Sequence, residues 1–129
     1  MLLSLLLGCS RTPPEQQLRE SLGQLQAVLE GRDASAMSEW LAEDFVGPDG
    51  MDRDAARRLA RVMFLRHRDV GVTLGPLDVA LQEGHATVRF TAAVSGGSGR
   101  ILPDSARVYE VETGWRMVNG EWRMTSVRW

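Results

Sequence analysis

Two periodicities divide the chain. Leu18, Leu22, Leu25 and Leu29 recur at the spacing that lines one face of an α-helix, until Gly31 ends the run. Thr12-Pro13-Pro14-Glu15 reads as the start of that helix, with threonine as N-cap, proline at the first helical position and glutamate three residues on. A short second helix is predicted from an Asp33 N-cap, with Ala36, Met37, Trp40 and Leu41 on one side. Phe45-Val46 follow as a brief extended segment, and Gly47-Pro48-Asp49-Gly50 is a turn by composition. Asp52 then caps a third helix whose apolar stripe is Ala56, Leu59, Ala60, Met63 and Phe64.

From residue 70 the period becomes two. Val70, Val72 and Leu74 alternate before Gly75-Pro76, and Leu77, Val79 and Leu81 alternate before Glu83-Gly84. A longer strand puts Ala86, Val88, Phe90, Ala92 and Val94 on one face and His85, Thr87, Arg89 and Thr91 on the other, until Ser95-Gly96-Gly97-Ser98-Gly99 breaks it. Asn119-Gly120 is the strongest short signal for a two-residue hairpin. Such a turn sets Met117 opposite Trp122, Trp115 opposite Met124, Arg116 opposite Arg123, Glu112 opposite Val127 and Glu110 opposite Trp129. Like charges facing each other are unfavourable, so the arginines are expected to splay toward Glu110, Glu112 or Glu121. Helices followed by strands give an α+β class: three N-terminal helices packed against a curved antiparallel β-sheet.

Composition limits what this fold does. The chain has 129 residues, 43% of them hydrophobic and 25% charged, which suits one domain with a single core. All 15 basic residues are arginine and the formal net charge is -2, so no global basic field collects nucleic acid. The lone cysteine excludes an internal disulfide, and His67 and His85 lie too far apart for zinc-ligand spacing, so no metal is expected. The glycines at 96, 97 and 99 lack the helix and lysine of a phosphate loop, and no cofactor is expected.

The apolar run Met1-Leu2-Leu3-Ser4-Leu5-Leu6-Leu7-Gly8 stops directly before Cys9. It resembles the lipobox of bacterial lipoproteins, in which Leu6, Leu7 and Gly8 form the cleavage recognition and Cys9 becomes the lipidated first residue. The resemblance implies a signal over residues 1–9, a tether over 10–14 and one domain over 15–129. It places the domain in the bacterial cell envelope, facing the periplasm, with a lipid anchor as its membrane partner. Ser10 after the cysteine favours the outer membrane.

Four features carry a second resemblance: the first helix ending at Glu30-Gly31-Arg32-Asp33, the segment Trp40-Leu41-Ala42-Glu43-Asp44-Phe45, the amphipathic third helix, and Gly114-Trp115-Arg116 with Asn119-Gly120-Glu121-Trp122-Arg123 and Trp129. Together they resemble the cone-shaped nuclear transport factor 2-like superfamily, which includes ketosteroid isomerases, polyketide cyclases, dehydratases and non-catalytic modules. The resemblance implies a hollow lined by Trp40, Phe45, Met63, Phe64, Tyr109 and Trp115, which holds a small apolar ligand or is simply filled core. It also implies a homodimer through the outer sheet face.

Measured against the isomerases, Asp49 falls near the general base. The oxyanion tyrosine of that family aligns with Leu25, and its donor acid falls near Thr113. A base without donors aimed at the developing enolate forfeits about 3–4 kcal/mol per donor. The favoured reading is therefore a non-catalytic ligand-binding or protein-interaction module. A small isomerase, cyclase or dehydratase using Asp49, aided by His67 or Tyr109, is the alternative. Asp49 has an ordinary use in its turn, hydrogen-bonding its own backbone, and His67 at a helix end favours the helix dipole. Arg53, Arg57 and Arg61, with Arg68 close to the same stripe, read as a solvated helix face balanced by Asp52, Asp54 and Asp69. On a tethered domain the same stripe would meet anionic headgroups.

Overall fold

A computed structural model describes residues 12–97 and 105–129. The signal with Cys9, the beginning of the tether and the connection around Pro103 lie outside the described residues. The elements run α1 (Pro14–Glu30), α2 (Ala34–Glu39), β1 (Leu41–Val46), a 3-10 turn at Pro48–Gly50, α3 (Arg53–Arg66), β2 (Asp69–Leu74), β3 (Asp78–Gln82), β4 (His85–Gly97), β5 (Ser105–Val118) and β6 (Glu121–Arg128). No helix among these is long and apolar enough to cross a membrane.

Capping chemistry sets the helix starts. The Asp33 carboxylate accepts from the Ala36 N–H at 3.0 Å, and that of Asp52 accepts from the Ala55 N–H at 2.8 Å. The first helix departs from expectation: Pro13 is the N-cap, no side chain caps it, and Pro14 opens the helix. Thr12 thus lies one residue too early for the predicted capping box. Trp40 and Leu41 also differ, since α2 ends at Trp40 and Leu41 already belongs to a strand. The Trp40 carbonyl accepts from the Met124 N–H at 2.8 Å, so pairing with the last strand overrides the local helical pattern.

The strands form one curved, unclosed sheet in the order β1-β6-β5-β4-β2, with β3 also on β4. Four pairings are antiparallel, and β1 runs parallel to β6 at one edge. β2 and β3 share one side of β4 and act as a single bent strand. Leu74 faces Ala92, whereas Asp78 faces Arg89, so the register slips by one at Gly75-Pro76-Leu77. The Gly75 N–H still donates to Thr91 across this kink, and Pro76 has no N–H to lose.

The hairpin turns through Asn119 and Gly120, both at positive φ, and pairs Met117 with Trp122, Arg116 with Arg123 and Trp115 with Met124. Beyond that point the register shifts. Gly114 faces Ser126 and Glu112 faces Arg128 rather than Val127, leaving Thr125 as a bulge residue. Glycine suits the position opposite this bulge: a Cβ at Gly114 would lie 2.7 Å from the Ser126 hydroxyl and 3.0 Å from that of Thr125, so both hydroxyls would have to rotate away. The splayed arginines find partly different partners. Arg123 reaches Glu121 at 3.2 Å, but Arg116 crosses to Asp44 on β1 with two hydrogen bonds at 2.9 and 3.2 Å.

The concave face receives α1. Leu18, Leu22 and Leu25 meet Met37, Leu41, Phe45, Ala86, Val88, Trp115, Trp122 and Met124 in the buried core. Both core indoles are satisfied. The Trp115 N–H donates to the Thr113 hydroxyl at 2.7 Å and that of Trp122 to the Pro14 carbonyl at 3.1 Å. This core lies at the hairpin end of the sheet, and it is the narrow end of a cone.

Candidate functional site

At the wide end the described residues do not fill the cone. A cavity of about 580 Å³ lies between α1, α3 and the concave face of β2, β4, β5 and β6, within the range of about 300–1,000 Å³ typical of small-molecule sites. The local sequence explains the void. Toward the hairpin the inward positions carry Trp115 and Trp122, whereas toward the other end they carry Val70, Val72, Ala92 and Val94, side chains too small to meet across the curve. On the helical side Leu22, Leu25 and Leu29 of α1 and Leu59, Met63 and Phe64 of α3 complete an apolar wall. Its exposed members, Leu59, Met63, Arg107 and Trp129, mark the rim.

Two polar lining groups are occupied by the fold. The Thr113 hydroxyl donates to the Val88 carbonyl at 3.0 Å while accepting from Trp115. The Gln26 amide donates to the Val72 carbonyl, and the Glu30 carboxylate accepts from the Val72 N–H at 3.1 Å. One helical turn of α1 thereby satisfies both outward backbone groups of a residue on an edge strand.

The side chains of His67, Ser95, Arg107 and Tyr109 also line the cavity and take no hydrogen bond among the described residues. Arg107 and Tyr109 are alternate residues of β5 and so share the concave face, opposite Val94 and Ala92 respectively. The His67 ring lies flat against Gly96, where an added Cβ would be 2.6 Å from Nδ1. A side chain at position 96 would have to displace the imidazole. Arg32 holds the segment in place, its guanidinium donating at 2.8 Å to the carbonyls of both Phe64 and His67. Among the described residues no aspartate or glutamate side chain lines the cavity.

Of the residues the sequence singled out, Met63, Phe64, Tyr109 and His67 come together around the cavity. Trp40, Phe45 and Trp115 do not. Phe45 and Trp115 are buried in the narrow-end core, and Trp40 packs on that core beneath Arg123. Asp49 is exposed at φ 60 in the 3-10 turn, outside the cavity, while Leu25 and Thr113 both line it. Arg107, Gln26 and Trp129 were missed. Counting by two from Tyr109 finds Arg107, but nothing local in the sequence ties Gln26 or Trp129 to the hollow.

The electrostatic outliers lie away from the cavity. The Arg116 guanidinium beside Asp44 holds that carboxyl below the usual carboxylate range. Arg89 and then Arg128 do the same for Glu112. Both are exposed ion pairs among the polar positions of the sheet.

No family model matches the sequence, and no curated protein matches it. Solved structures do. Bd1075 of Bdellovibrio bacteriovorus is 10% identical with a TM-score of 0.79 over 88% of this chain, which spans only 40% of that one. A nuclear transport factor 2-like protein with a cystatin-like fold from Novosphingobium aromaticivorans is 22% identical, with a TM-score of 0.70 over 88% of this chain and 79% of its own. The fold is the nuclear transport factor 2-like cone. A scytalone dehydratase-like protein from the same organism shares this cone at 12% identity, with a TM-score of 0.75 over 88% of this chain and 80% of its own. Such identities establish a common cone and leave its contents to each sequence.

Proposed function

We propose that this chain is an envelope lipoprotein, anchored through Cys9, whose nuclear transport factor 2-like cone is a non-catalytic module that binds a small apolar ligand. The observation that carries the reading is the wide-end cavity of about 580 Å³, walled mainly by aliphatic and aromatic side chains and, among the described residues, by no aspartate or glutamate. Burying apolar ligand surface there contributes roughly 25 cal/mol per Å². The polar side chains of His67, Ser95, Arg107 and Tyr109 supply orientation.

A dehydratase or isomerase reading has less support. Proton abstraction beside a carbonyl needs a base within hydrogen-bond reach of the substrate, and Asp49 lies outside the cavity. Among the described lining residues an acid-base step would run through His67 and Tyr109.

Native mass spectrometry of protein purified from membranes tests both halves of the proposal. The expected spectrum shows acylation of Cys9 together with a small molecule that leaves on collisional activation. A bare polypeptide mass overturns the reading.

A further inference from the structure

The outer face of α3 has no partner among the described residues, and it combines exposed aliphatic side chains with arginines. None of the helix's residues is buried. Arg58, Val62 and Leu65 follow at i, i+4 and i+7, so they form one stripe, and Arg61 and Arg66 flank it. Leu65 is 82% exposed and Val62 44%. Both sit on the side opposite Ala60 and Phe64, which turn inward.

The arginines of this stripe are not spent on structure. Arg53 donates to the Ser38 carbonyl and Arg57 pairs with Asp54, so the two residues expected to begin a solvated face are held by the fold. Asp52 is occupied as the N-cap. Arg58, Arg61, Arg66 and Arg68, by contrast, form no ion pair among the described residues. Nor are they needed to satisfy the end of the helix, because Arg32 already takes the carbonyls of Phe64 and His67. A positive patch therefore stands on a chain of net charge -2, with exposed aliphatic groups at its centre.

We infer that this face of α3 is a docking surface for an anionic lipid bilayer. Charge complementarity selects the occupant: guanidinium groups pair with phosphate oxygens in a two-pronged geometry, and Val62 and Leu65 enter the acyl boundary between them. A second copy of this chain would set like charges against each other. The inference does not depend on what the cavity holds, nor on acylation of Cys9. It does have a geometric consequence, since Leu59 and Met63 of the same helix form part of the cavity rim. A bilayer against α3 would lie beside the entrance.

Vesicle co-sedimentation of the full chain carrying Cys9→Ser tests this, with phosphatidylcholine vesicles and vesicles containing phosphatidylglycerol. Three chains are compared: this parent, Arg58→Glu with Arg61→Glu, and Leu65→Ser. Residues 1–11 are common to all three, so their contribution cancels. The parent is expected to prefer anionic vesicles. The double charge reversal should weaken that binding by roughly thirtyfold or more, at about 1 kcal/mol per arginine contact. Leu65→Ser should weaken it severalfold with no change of charge, and thermal midpoints should stay within a few degrees of the parent. Equal binding to neutral and anionic vesicles, or variants that bind like the parent, would overturn the inference. So would a parent dimer that Leu65→Ser disperses while vesicle binding is untouched.

Discussion

At the scale of single residues, the clearest electrostatic feature is the bridging of Glu112 by Arg89 and Arg128. It exists because the bulge at Thr125 brings Arg128, not Val127, opposite Glu112. The sequence showed the Asn119-Gly120 turn because positive φ at two adjacent residues is a local demand. It did not show the bulge, because the close approach of Gly114 to Thr125 and Ser126 is a contact between two strands and not a local signal. A carboxyl whose pKa is lowered by folding contributes stability that is present above its unfolded value and lost as pH falls through the folded one. Glu112→Gln should therefore lower the urea midpoint at pH 7, and the gap from the parent should shrink as pH falls through the folded-state value of the carboxyl. Other titrating groups are shared by the two chains. A gap in midpoints that stays constant down to the lowest pH at which both chains fold would remove the ion pair as its cause.

Among elements, the junction of α1 with β2 decides whether the wide end stays in shape. Strands were legible here as alternating runs, and the Asp33 and Asp52 caps as single residues, because each signal is complete within a few positions. The function of Gln26 and Glu30 was not, since their partner Val72 is more than forty residues away. Val72 is buried on the cavity wall at the sheet edge, and its N–H has no strand to pair with outside. Glu30→Ala removes the acceptor and costs about 1–3 kcal/mol of stability if no water replaces it. The local sign is sharper than the global one. Amide exchange at Val72 should accelerate well beyond the change at Val88, which lies in the central strand β4, in native-state exchange followed by NMR. Equal acceleration at both amides would mean that Glu30 acts only on global stability.

For the whole molecule, the instructive division is between a packed narrow end and a hollow wide end of the same sheet. Alternation along the strands correctly assigned Ala86, Val88, Phe90, Ala92 and Val94 to one face, but a period of two carries no information about depth. Tyr109 and Trp115 have the same parity on β5, yet Tyr109 lines the cavity and Trp115 is sealed in the core. Depth is set by where the hairpin and α1 close the cone, a property of all the elements together. The hollow also implies that stability has been left unused, because apolar walls face space that side chains could occupy. Ala92, between Leu74 and Tyr109 across the sheet, points at that space. Replacing it by leucine adds three carbons, each worth up to about 0.8 kcal/mol when buried without strain. Ala92→Leu is thus expected to raise the thermal midpoint by several degrees and to abolish uptake of an uncharged fluorescent naphthylamine probe. In a cone already full, the same substitution would overpack and destabilise by about 1–3 kcal/mol. The sign of one melting shift, read beside probe uptake, therefore distinguishes a vacant binding chamber from a closed core.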